Sequence, residues 1–80
     1  MHEMHFLHKL KEDLLKRAIE EKCEKVTKIY IKMGPFSEIN PEILHFYFVH
    51  ETANTPLAGA MIEIEKSDKQ ELTLVSFDCE

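Results

Sequence analysis

Val26-Thr27-Lys28-Ile29-Tyr30-Ile31-Lys32-Met33, closed by Gly34-Pro35, is the stretch on which the fold class turns. Thr27, Ile29, Ile31 and Met33 alternate with Lys28, Tyr30 and Lys32, a period of two that belongs to a strand with a core side and a more polar side. Gly34-Pro35 ends it, because glycine permits unusual dihedrals and proline removes an amide donor. Upstream the period is different. From Glu3 to about Cys23, Leu7, Leu10, Leu14 and Ala18 recur at spacings of three and four, the apolar stripe of a helix. Lys9, Lys11, Glu12, Asp13, Lys16, Arg17, Glu20 and Glu21 supply its wet side, and no Gly or Pro interrupts it.

Downstream, Asn40 is a good N-cap and Pro41 suits the first position of a helix expected from Pro41 to about Thr52. Leu44, Tyr47, Phe48 and Glu51, with Ile43 and Phe46 flanking, give that helix a broad aromatic face. Asn54 to Gly59 is the exit loop. Ala60 to Lys66 alternates again, with Ile62 and Ile64 opposite Met61, Glu63 and Glu65. Ser67-Asp68-Lys69-Gln70 is a polar turn, and Glu71 to Phe77 a last strand with Leu72 and Leu74 on one face and Thr73, Val75 and Phe77 on the other. The expectation is an α+β fold of order α-β-α-β-β, two helices packed on one face of a three-stranded mixed sheet. The short turn predicts that the last two strands pair as a hairpin. Tyr30, Met61, Val75 and Phe77 then lie on the uncovered face, where a contiguous apolar patch would serve a homodimer or a docking partner.

The chain has 80 residues, the size of a single domain (1–80) with a thin core. Its 15 acidic residues outnumber 10 basic ones, which argues against a phosphate-backbone partner and hence against nucleic acid. No apolar run approaches the length of a membrane span, and no basic segment leads into an apolar one, so neither membrane insertion nor a signal peptide is read and the expected compartment is cytoplasmic. In that compartment Cys23 and Cys79, far apart and without a CxxC, are expected to be unpaired thiols. No GxSxG, Gly-rich phosphate loop, HExxH or recognisable Cys-His frame is present, so an enzyme is not expected.

Five histidines are the unusual feature, three of them in the first eight positions. His5 and His8, at i and i+3, neighbour one another on a helix but make a weak site without a third ligand. His45 and His50 are five apart and read as structural or surface residues. His2 differs because of its spacing from the α-amine. The amine of Met1, the His2 amide nitrogen and the His2 imidazole chelate one metal in fused small rings, with the Glu3 amide or an oxygen completing a plane that suits Ni(II) or Cu(II). By chemistry alone this is suggestive, since His also occurs at position 2 by chance.

Met1-His2-Glu3 ahead of a long helix resembles the start of the HypA/HybF family, nickel-incorporation chaperones of [NiFe]-hydrogenase maturation. The similarity continues through Val26 to Gly34, through Ile39-Asn40-Pro41-Glu42-Ile43-Leu44 and Phe46-Tyr47-Phe48, and through Gly59 to Glu65 and Glu71-Leu72. The resemblance implies a nickel metallochaperone binding Ni(II) at Met1, His2 and Glu3; Asn40 and His5 are the candidate accessory ligands beside them. It also implies a HypB-type GTPase and the large subunit of a nickel enzyme as partners. Two departures stand out. Where the family inserts a zinc domain with paired CxxC motifs, this chain has only Ser67–Gln70, so no structural zinc is expected. Asn40 stands where the family often carries an acidic residue. The alternative reading is a metal-independent interaction or regulatory paralogue that docks on the same partners.

Overall fold

Leu7, Leu10, Leu14 and Ala18 are buried along a single stripe of the first helix, α1 (Met4–Glu20), in the computed structural model, which describes residues 4–80. The other elements are β1 (Val26–Met33), α2 (Pro41–Glu51), β2 (Met61–Lys66) and β3 (Leu72–Cys79). The α1 stripe meets Val26, Ile29, Ile31 and Met33 of β1 and Leu44 and Phe48 of α2 in one core. Each fully buried leucine of this set stabilises the fold by about 2 kcal/mol. The fold class expected from the periodicities is the one observed, α-β-α-β-β with a three-stranded mixed sheet.

The strand order corrects one expectation. β2 and β3 do not form a hairpin: the order is β2-β1-β3, with β1 parallel to β2 and antiparallel to β3. α2 is therefore the crossover of a βαβ unit. The link between Lys66 and Leu72 passes over the end of β1, where the Ser67 amide donates to the Met33 carbonyl (3.0 Å) and the Gly34 amide to the Glu71 carbonyl (2.8 Å). Its passage depends on Gly34 having no side chain, because a Cβ there would lie 1.4 Å from the Lys69 carbonyl oxygen. Two inter-strand spacings amount to about 10 Å, within reach of five residues, so a short link is compatible with strands that flank a third.

Phe77 is the second correction. Ile31 pairs with Leu74 but Tyr30 pairs with Ser76, leaving Val75 as the extra residue of a bulge. The bulge reverses the alternation, so Phe77 joins Leu72 and Leu74 against the core. The outer face is then mostly polar. The Tyr30 hydroxyl donates to Asp78 Oδ2 at 3.0 Å, Lys28 pairs with Glu63 at 3.1 Å and lies 5.1 Å above the Tyr30 ring. The Asp78 carboxylate, accepting that hydroxyl, raises the Tyr30 pKa, and Glu63 raises that of Lys28. Only Met61 (68% exposed) and Val75 (53%) remain of the expected apolar patch.

The cysteines give the third correction. Cys23 and Cys79 are joined in a disulfide with Cα atoms 5.8 Å apart. Lys22 takes a left-handed conformation (φ 56°), and the amides of Lys22 and Cys23 donate to Ile19 and Ala18, a Schellman cap that turns Cys23 toward the end of β3. Sequence spacing carried no sign of this, because a strand pairing that closes over 56 positions brings the two together.

Candidate metal centre

Of the residues expected to hold a metal, Met1, His2 and Glu3 lie outside the described residues. The structure does define the end of the domain at which α1 begins. Met4, His5, Phe6 and His8 are exposed there, and the Phe6 ring packs on Phe36 with centroids 5.3 Å apart. Phe36 belongs to the loop between β1 and α2, so this contact brings the start of α1 to the loop that ends in Asn40. The sequence reading gave Phe36 no role; its position just beyond Gly34-Pro35, as a large aromatic in a polar loop, was the available signal.

Asn40 has extended backbone (φ −139°, ψ 174°), and its Oδ1 accepts from the Ile43 amide at 2.8 Å. Pro41 follows at the first helical position, as expected. The amide oxygen of Asn40 is thus engaged as a cap. An acidic residue would cap equally well and add charge favourable at a helix N-terminus.

Between this loop and the end of β2 lies an open groove of about 450 Å³, lined by Phe36, Ile39, Asn40, Pro41 and Ile64 with Asp68 at its rim. The β2–β3 link that borders it is ordered by side chains. Glu71 accepts from the Ser67 hydroxyl and, at 3.0 Å, from the Thr73 hydroxyl, while the Lys69 amide donates to Ser67 Oγ. These hydroxyls, Ser67 first, lower the Glu71 pKa. The start of α1, the N-cap of α2 and the β2–β3 link therefore share one end of the domain.

Among the described residues, no three His, Cys, Asp or Glu side chains come together as a metal cage. His45 and His50 are exposed on α2, with His50 4.2 Å from the ring of Phe46. Both cysteines are consumed by the disulfide. Among the described residues, then, the four N or S ligands of a tetrahedral structural zinc do not come together. Beside the histidines, Phe46 (66% exposed), which the sequence reading placed at the flank of an aromatic face, and Val49 (70%) form an uncovered apolar strip on α2. No helix among the described residues is long and apolar enough to cross a membrane.

A family model described as hydrogenase/urease nickel incorporation, metallochaperone, hypA matches residues 1–79. Hydrogenase maturation factor HypA of Archaeoglobus fulgidus is 36% identical over 70 residues, 85% of this chain and 64% of that protein. The Methanopyrus kandleri protein of the same name is 34% identical over 65 residues, covering 81% and 46%. That of Chlorobaculum parvum is 34% identical over 68 residues, covering 85% and 60%. The chain thus spans about half to two thirds of the length of these relatives.

Proposed function

Because the chain belongs to the HypA family of hydrogenase/urease nickel-incorporation metallochaperones, we propose that it carries Ni(II) and passes it to a nickel enzyme during maturation. The observation that carries this reading is the family match running from residue 1 through the Met1-His2-Glu3 triplet to residue 79. In this reading the α-amine of Met1 and the amides and imidazole of His2 and Glu3 make a planar nitrogen-rich set suited to Ni(II). His5, exposed on the first turn of α1, and Asn40, at the same end of the domain, are its accessory groups. Ligand exchange with a recipient follows naturally from a site at an exposed helix start. The proposed partners are a HypB-type GTPase and the large subunit of the nickel enzyme.

In the same proposal the chaperone works without structural zinc, Ser67–Gln70 holding the place of the family's zinc domain. The exposed strip of Phe46 and Val49 supports a second reading, a module that docks on the same partners without carrying metal. Calorimetric titration of Ni(II) into untagged protein and into a form with one extra residue before Met1 separates the two. One-to-one binding lost on extension supports the chaperone. Absence of binding in both forms refutes it and leaves the docking module.

A further inference from the structure

We propose that Cys23–Cys79 is a reversible dithiol–disulfide couple, reduced by a small dithiol at Cys79 Sγ while the domain stays folded. Three observations carry the proposal. Cys79 is exposed at the end of β3, an edge strand, whereas Cys23 is half-buried in the Schellman cap of α1. A thiolate from solvent therefore meets Cys79 first. The two sulfurs are also held together by more than their own bond. The Glu24 amide donates to the Glu80 carbonyl (3.0 Å), the Glu80 amide to Lys25 (2.8 Å), and the Thr27 hydroxyl to Asp78 (3.2 Å). Finally, the core cluster does not require the bond, since both elements at the disulfide are anchored by buried residues, Ala18 on α1 and Val26 opposite Cys79 on β1.

The exchange balances in two steps. A dithiol thiolate attacks Cys79 Sγ, the S–S bond breaks, and the Cys23 thiolate leaves and takes a proton from water. The second sulfur of the reagent then attacks the mixed disulfide, Cys79 leaves and is protonated, and the reagent closes into its own disulfide. The protein gains two electrons and two protons, and the dithiol loses them. In the reduced form the backbone ladder keeps both thiols near each other, so an oxidant recloses the bond within one chain. The redox state thereby sets how firmly the end of α1 is tied to the end of β3.

The test reduces the intact chain with dithiothreitol in native buffer, following alkylation by mass and folding by far-ultraviolet dichroism. Complete reduction with an unchanged spectrum, then reoxidation to monomer, is expected; reduction only in denaturant, or reoxidation into linked dimers, overturns the proposal. Cys79 in the Cys23→Ser variant should react with an aromatic disulfide reagent about tenfold faster than Cys23 in Cys79→Ser. Equal or inverted rates would overturn the assignment of Cys79 as the attacked atom. Hydrogen exchange on the wild-type chain needs no variant: on reduction, protection of the Glu24 and Glu80 amides should fall about tenfold while the Ile29 and Ile31 amides remain protected. A uniform loss along β1 would make the bond a condition of folding and refute a switch.

Discussion

Gly34 lies so close beneath Lys69 that a methyl group on the glycine would sit 1.4 Å from the lysine carbonyl oxygen. The missing side chain at Gly34 leaves room for the β2–β3 link to cross the end of β1, the central strand. Gly34→Ala must push the link away and break the paired bonds of Ser67 to Met33 and Gly34 to Glu71. The expected loss is about 3 kcal/mol, from overpacking plus broken hydrogen bonds. Urea unfolding with an unchanged slope checks it, and a variant as stable as the parent would mean that the link does not take this path.

Asn40→Ala removes the side-chain acceptor for the Ile43 amide and should cost about 1 kcal/mol in thermal or urea unfolding. Asn40→Asp keeps the cap and should leave stability equal or higher. The pair also tests the accessory role in nickel binding. Aspartate should tighten Ni(II) and alanine weaken it if Asn40 faces the metal, and identical affinities in all three forms would remove it from the site.

Glu71 provides a pH signature. Its folded pKa is depressed by the Ser67 and Thr73 hydroxyls, so its contribution is fully present above the unfolded value and is lost as pH falls through the folded one. Glu71→Gln should therefore lower stability at neutral pH and converge with the parent in acid. Unfolding midpoints across the acidic range read the effect; curves that run parallel at every pH would show that the carboxylate charge does not matter.

His2→Ala should abolish specific Ni(II) binding without changing the unfolding midpoint. In the parent, affinity should fall as pH drops through the imidazole range, because the ligand nitrogens must lose protons to bind. Unchanged stoichiometry and affinity in the variant would refute the terminal site.

Reduction of Cys23–Cys79 opens a loop closed over 56 positions. On the loop-closure account the stabilisation lost is up to about 4 kcal/mol. Unfolding of oxidised and reduced protein, side by side, measures it, and coincident curves would assign the bond no role in stability.

The helices and strands were legible in the sequence because each keeps its own period over many residues. The α1 stripe of Leu7, Leu10, Leu14 and Ala18 is buried in full, and Asn40-Pro41 marks the start of α2 as read. What stayed hidden depends on distant partners. The hairpin expected for β2 and β3 gives way to the pairing of both strands with the distant β1, and the side on which Phe77 falls was decided by a one-residue bulge against β1. The disulfide follows from the same long-range pairing. For the site, residue types at the terminus suggested metal chemistry, whereas the Phe6–Phe36 contact that places Asn40 at the same end arises from tertiary packing that no local pattern encodes.

A central strand that precedes both of its neighbours has a consequence for biosynthesis. Asp78, which accepts the Thr27 hydroxyl, is translated 51 positions later, a delay of about 3–10 s at ordinary elongation rates. Both edges of β1 are bare until β2 is made, and the edge that β3 will occupy stays open after that. The ribosome-bound intermediate is therefore where this domain is most exposed to aggregation, and β3 closes that window when it pairs with β1.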